Sequence, residues 1–490
     1  MKKRTVLSKI LALTLSLLML VMPFTTSCVN NNNDNKVVGN GDIFDPTKTW
    51  DVYPDEHLVS APVEINYWSA NSAVDVHGKT MAELVDEFNA YQKEKYPTSF
   101  IKVNVSFQGG YGTQNTKLQA ALMGGNNPEI AQVGVSSLPL YTDAVIDQRT
   151  VFTLDQLRDV NPGFLQYAMH QDKFVGYPYF ASTNVLVINR TLLEATGKKV
   201  PTVEEILADP ENSIWTWDYM KELAIAVTDT SDSDSANHIY GYAAKDPGLY
   251  EMMYTQGVPI YNETATEALF NNEAGKRGFE FWRSMVVEGA MLNPVLDPNH
   301  GTRIQGNFSL GKVGILCDTS SVISNYYANV VANPEAQGED PLFELDVLPY
   351  PKYTNFYANQ SGGSLVIFNN RPDNKTKAAV EFLRWLQAPE QVAKFSLSTG
   401  YLPTTGAARE TDLWKNDNGI RPYLDKVFEL MVFTPPEGVK LPFGRAKALA
   451  DSDFSEYVEG IWLDNCTRDI DEVLKQCFER INYILMANSQ

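Results

Sequence analysis

Metal and redox chemistry find little to work with in these 490 residues. The five histidines, His57, His77, His170, His238 and His300, lie far apart, and neither HExxH nor CxxC occurs, so nothing has metal-ligand spacing. With Cys28 set aside, Cys317, Cys466 and Cys477 remain, an odd number without framework spacing. They read as buried thiols, and Cys466 and Cys477 stand too far apart along one predicted helix to bridge. No GxSxG nucleophile elbow is present. Cations are in deficit: 40 Lys and Arg against 60 Asp and Glu leave a net charge of -20. That balance excludes the basic face nucleic acid requires and favours a soluble exported monomer. No cofactor and no metal is expected.

One near-motif and one possible pairing of carboxylates test the case for an enzyme. GNFSLGKV, Gly306 to Val313, nearly spells a phosphate-binding loop, but Val313 stands where a magnesium-holding hydroxyl belongs, so the stretch reads as a turn into the strand KVGILC. Two carboxylates brought together in space would suffice for a glycosidase, which keeps a secreted carbohydrate-active enzyme as an alternative.

Long apolar runs are confined to the start of the chain. Lys2, Lys3 and Arg4 precede an apolar stretch from Ile10 to Met22, the build of a signal peptide over 1–27 and too short to span a membrane comfortably. Thr25 and Ser27 permit ordinary signal cleavage. The stretch also resembles a bacterial lipoprotein signal, with Thr25 where Leu is usual, which implies acylation of Cys28 and membrane contact through that lipid alone. The following VNNNNDN lacks apolar area to bury, and residues 28–60 are expected to form a flexible lipid-anchored tether. The expected location is the outer face of the bacterial cell membrane, or the periplasm or medium if Cys28 carries no lipid.

The body that follows is patterned for α/β structure. Val63, Ile65 and Tyr67 alternate as in a strand. Met81, Leu84, Val85, Phe88 and Tyr91 stripe a helix, for which Thr80 and Glu83 offer a capping box and Pro97 a stop. Ile101, Val103, Val105 and Phe107 alternate again, completing a strand-helix-strand unit of the kind that builds parallel sheets. LVIFNN precedes a second amphipathic helix, and Ile470, Val473, Leu474, Cys477, Phe478, Ile481 and Leu485 mark a docked helix near 469–486.

FQGGYGTQNTKLQAALMGGNNPEIAQV, YPYFASTNVLVINRTLLEATGKKVPTVEEI, GKVGILCDTSS, GGSLVIFNN and FLRWLQAPEQVAKFSLSTGYLPTT, in that order, resemble the extracellular solute-binding proteins of ABC importers, in the branch of the glycerol-3-phosphate and maltose binders. The resemblance implies a type II periplasmic-binding-protein-like α/β fold whose two discontinuous lobes are joined by hinge strands around a cleft. It puts 61–182 plus 360–402 in lobe 1, with the helix at 468–488 docked on it, and 183–359 plus 403–467 in lobe 2. The implied function is capture of a sugar, such as an oligosaccharide, or a polyol, and delivery to ABC permease subunits with a separate ATPase. A binding lipoprotein feeding a sensor is the other alternative.

Carried over residue by residue, the resemblance gives Tyr111, Ser182 (or Thr183), Ser320 (with Thr319 and Ser321 beside it), Gly362, Tyr401 and Arg445 as ligand-contacting positions. Val135 stands where the glycerol-phosphate binder has a glutamate, which favours an oligosaccharide or another polyol. Trp68, with Asn71 near it, and Tyr250 could offer sugar rings flat faces and polar partners.

Overall fold

The computed structural model describes residues 50–165, 168–244, 248–262, 264–296, 300–358, 360–433 and 445–488. Cys28 and most of the expected tether lie outside them. Alternating apolar residues build β1 (Val63–Ser69), followed by α1 (Val76–Lys95) and β2 (Ile101–Phe107). α1 starts four residues before the expected Thr80: Asp75 caps it by accepting from Gly78 N, and the Thr80 hydroxyl bonds back to Val76 O inside the helix. Next come α2 (Tyr111–Gly124), β3 (Ile130–Gly134), β4 (Tyr177–Asn189), α3 (Trp217–Val227) and β5 (Tyr240–Ala244). α4 (Leu249–Thr255), α5 (Glu273–Val287), α6 (His300–Ser309), β6 (Val313–Thr319), β7 (Leu345–Leu348) and β8 (Gln360–Ile367) follow. α7 (Asp373–Leu386), α8 (Pro389–Thr399), α9 (Arg445–Val458) and α10 (Ile470–Ala487) close the sequence.

Eight strands share one sheet in the order β2-β1-β3-β8-β4-β6-β5, with β7 also paired to β4. β4 is the element common to two halves. Its residues up to Thr183 pair with β8, and from Asn184 onward they pair with β6 and β7. β1 runs parallel to β2 and β3, and β5 parallel to β6, so each half presents strand carboxyl ends toward the region where β4 changes partners.

Apolar packing runs through both halves, one cluster extending from Tyr67 and Phe382 to Leu316 and Val347. Tyr67, Phe88, Phe382 and Leu383 are fully buried beneath the first half of the sheet, and Leu118, Val133 and Phe368 cover its other face. In the second half Leu186, Trp217, Trp282 and Ile315 form the centre. Burial of each such side chain contributes about 1.5–3 kcal/mol.

Three expectations are corrected here. The C-terminal helix docks on the second half, not the first. The buried stripe of α10 joins the Trp217–Trp282 cluster, Lys276 Nζ of α5 reaches Asp471 at 2.8 Å, and Arg480 Nε of α10 reaches Asp453 of α9 at 2.7 Å. Nor does the chain leave the first half at residue 402. Asn161 N bonds Thr404 O at 3.0 Å, and Ala407 N bonds the Asp159 carboxylate at 3.1 Å. Residues 50–60 are strapped down: the Arg384 guanidinium donates to the carbonyls of Tyr53 and Pro54 at 2.6 and 2.8 Å, and Glu381 accepts from Leu58 N and His57 Nδ1 at 2.6 and 2.9 Å. The expected tether therefore does not extend over residues 53–58.

Cys317, Cys466 and Cys477 are buried and form no disulfide among the described residues, although Cys466 lies in a short turn ahead of α10. Around Gly306 the order is helix, turn, strand, the reverse of a phosphate-binding loop; Gly311 makes the turn with φ +72°. Among the described residues no group of His, Cys, Asp or Glu could hold a metal ion, and no helix is long and apolar enough to cross a membrane.

Candidate functional site

The turn after β2 carries two glycines, the first with φ +104°, and starts α2 at Tyr111, so the tyrosine ring is aimed back over β3 and β8. Its hydroxyl lies above the bare backbone of β8. A Cβ at Gly363 would stand 2.6 Å from that oxygen and 2.9 Å from Val133 O. The buried Gln132 fixes the hydroxyl: its Oε1 accepts from Ala70 N at 3.1 Å, which leaves Nε2 to donate to Tyr111 at 2.6 Å. Having accepted from Gln132, the Tyr111 hydroxyl keeps its own hydrogen for another acceptor, and the Tyr401 hydroxyl lies nearby.

Tyr401 is the hub. Its ring is 4% exposed, stacked on Phe395 at 5.5 Å and met edge-on by Phe180 and His77 at 5.5 and 5.3 Å. Its hydroxyl lies near Tyr111 and Asn71 of the first half and near Ser321, which follows β6 in the second. Burial pushes both tyrosine pKa values up, so the pair stays neutral and able to donate. Beside the hub, the Asn71 side-chain nitrogen is buried without a hydrogen-bond partner. His77 Nε2 reaches Ser321 O at 2.6 Å.

The crossing strand supplies the rest. Ser182 Oγ lies 2.9 Å from Ser361 Oγ, and Thr183 N donates to the Ser320 hydroxyl at 3.3 Å. Gly362 has φ +99°, and a Cβ there would fall 1.8 Å from Phe180 O. At Gly400, with φ +90°, a Cβ would meet Ser320 O at 2.7 Å.

Residues 83–422 match the family described as bacterial extracellular solute-binding protein. The chain belongs to that family. This solute-binding protein is 30% identical over 433 residues to the sn-glycerol-3-phosphate-binding periplasmic protein UgpB of Yersinia enterocolitica, spanning 82% of this chain and 88% of that one. It is 23% identical to UgpB of Pectobacterium atrosepticum, over 88% of this chain and 93% of the other. Among solved structures it resembles UgpB from Mycobacterium tuberculosis in complex with glycerophosphocholine, with TM-score 0.67, 16% identity and coverage of 88% and 100%. It also resembles the cyclic alpha-maltosyl-1,6-maltose binding protein from Arthrobacter globiformis, with TM-score 0.63, 20% identity and coverage of 87% and 100%. The two-lobed fold of these neighbours is the fold of this solute-binding protein.

Of the positions expected from sequence, Tyr111, Ser182, Ser320, Gly362, Tyr401 and Asn71 fall in one neighbourhood. Gly362 has a structural reason of its own, because no side chain fits between the paired strands. Trp68 is half-buried against the cluster of Leu118, Ala131 and Val133 and lends only its backbone carbonyl, accepting from Gln114 Nε2 at 3.4 Å. Tyr250 is not brought to the hub. Its hydroxyl lies 2.7 Å from the Asp451 carboxylate and 3.0 Å from the Tyr261 hydroxyl, and its ring meets Phe454 at 4.8 Å, tying α4 to α9 inside the second half. Arg445 begins α9, and its side chain lies outside the described residues, as does Cys28. Sequence reasoning missed Gln132 and His77. Gln132 sits in a five-residue strand otherwise apolar or glycine, where a buried amide is an exception that calls for a polar partner.

Proposed function

We propose that this protein captures a neutral sugar or polyol outside the cell and passes it unaltered to membrane permease subunits powered by a separate ATPase. One observation carries the reading: neutral hydroxyl and amide groups from both halves converge on Tyr401, a lining suited to trading hydrogen bonds with a polyhydroxylated molecule. The named relatives are binding proteins, and those names cover glycerol phosphate and malto-oligosaccharides. A neutral ligand is favoured over a phosphorylated one because the hydrogen-bond partners of Tyr111 and Tyr401 are uncharged and the Asp75 carboxylate bears on Tyr401. Val135, standing where a glutamate is expected from the glycerol-phosphate binders, supports the same preference.

Ligand gripped from both sides favours a closed form, and the shift can be no larger than the ligand's preference for closed over open. Rotation would be absorbed where β4 changes partners at Thr183 and Asn184, at the start of β8 and beside Tyr401. The leading segment would export the chain and Cys28 would hold it by a lipid.

A thermal-shift screen with maltotriose, tagatose, glycerol, sn-glycerol-3-phosphate and glycerophosphocholine tests the reading. A true ligand at ~100 times its dissociation constant adds about 2.7 kcal/mol of stability. A neutral sugar or polyol is expected to raise the melting temperature, and its recovery intact after incubation is expected too. Cleaved oligosaccharide in that sample would replace the binding reading with an enzymatic one.

A further inference from the structure

We infer that His77 is a positioning residue that latches the two halves together, coupling the packing of Tyr401 to closure; the inference rests on the binding role proposed above. Three observations on His77 support it. Its Nε2 lies 2.6 Å from Ser321 O, and because a carbonyl only accepts, Nε2 carries the hydrogen. The ring is held edge-on to Tyr401 with centroids 5.3 Å apart, in contact with the hub that gathers Tyr111, Asn71 and Ser321. The imidazole is well buried, its side chain 12% exposed, so the bond is shielded from competing water.

The mount is rigid on one side and separable on the other. Asp75 locks the turn beneath His77 by accepting from Gly78 N at 2.8 Å and from Ser72 N at 3.0 Å. A Cβ at Gly78 would collide with Ser72 O at 1.9 Å, so the backbone there has no slack. Ser321 belongs to the short turn following β6, a strand whose ladder partners are β4 and β5; the segment after it meets the first half beside Gly400 and through Ser324 Oγ, which donates to Thr399 O at 2.8 Å. Rotation about the changeover at Thr183 and Asn184 would carry Ser321 away from α1 and break the bond. A ligand that settles Tyr401 would therefore set the imidazole for its reach across the cleft.

Double electron–electron resonance between spin labels at Met123 on α2 and Leu310 after α6, both exposed at 85% and 67%, reads closure directly. The measurement uses the full chain, first without added compound and then with maltotriose, tagatose or glycerol. His77→Phe keeps an aromatic edge against Tyr401 and removes the donor, while His77→Gln keeps a donor. The closed-to-open ratio is expected to fall about five- to tenfold in His77→Phe, the loss of one shielded hydrogen bond, and much less in His77→Gln. Equal distance distributions in the parent and both variants would overturn the latch. If His77→Phe fails to fold, His77→Ala replaces it against the same His77→Gln comparison. Because the ligand-free distributions need no bound compound, a latch effect without any ligand response would sink the transport reading alone, and binding without a latch effect would sink only this inference.

Discussion

Gln132 donates to the Tyr111 hydroxyl at 2.6 Å while its own carbonyl oxygen is held by Ala70 N, so a backbone amide sets the direction of hydrogen bonding at the hub. Replacing it tests that direction. Gln132→Leu leaves the Ala70 N–H buried without a partner and should cost about 1–3 kcal/mol in urea unfolding. Gln132→Glu offers acceptors only, takes the Tyr111 hydrogen instead of supplying one, and should weaken binding of any compound that stabilises the parent protein, as read by calorimetry.

Tyr401 has its ring in the core and its hydroxyl at the site, and two substitutions separate those roles. Tyr401→Phe preserves the stack on Phe395 and should lower ligand affinity by about 0.5–1.5 kcal/mol with little loss of stability. Tyr401→Ala should destabilise the fold by about 3–5 kcal/mol, the usual cost of an aromatic cavity. A melting temperature unchanged in Tyr401→Ala would show that the ring is not a packing element.

At Gly362 the expected damage is to the fold. An alanine there combines φ +99° with a Cβ 1.8 Å from Phe180 O, so the β4–β8 pairing must separate. Gly362→Ala should cost at least about 2 kcal/mol by denaturant titration, from left-handed strain and overpacking together.

Two side chains of α7, Glu381 and Arg384, help to strap down residues 50–60, beside the Tyr53 N bond to Thr150 O and the stack of His57 on Tyr96. In Arg384→Ala the carbonyls of Tyr53, Pro54 and Val151 lose their donor. Amide exchange is expected to rise across 50–60 and stay slow in β1, since local openings follow local hydrogen bonding. Exchange in 50–60 equal to that of the parent protein would show that the strap is held by other contacts.

His170 gives a pH dependence of definite sign. Burial lowers its pKa, with Asp143 opposing in part, so the folded state holds the ring neutral more strongly than the unfolded chain does. Stability from this group is complete above the unfolded value of about 6.5 and declines as pH falls from there toward the folded value. Thermal melts between about pH 7.5 and 5 should therefore drop less steeply in His170→Gln than in the parent protein.

Much of the fold was legible because periodicity is local. Val63, Ile65 and Tyr67 announced β1, and the stripe from Ile470 to Leu485 announced α10 within a residue or two of its observed ends. α10's docking partner was not legible, since an apolar stripe states that a face is buried and is silent about which half buries it. The start of α1 was missed for a related reason. Thr80 and Asp75 can both cap, and only the fit of Gly78 against Ser72 selects Asp75.

The sequence by itself determined several strands and helices, the acidic balance and the family to which the chain belongs. Those rest on composition and on spacings of a few residues, which every copy of the chain carries before it folds. The tertiary structure alone decided that Tyr401 gathers groups from both halves, that Tyr250 is committed to Asp451, and that His77 reaches Ser321. Each joins residues at least 80 positions apart, and contact across that separation exists only once packing has set both ends in place.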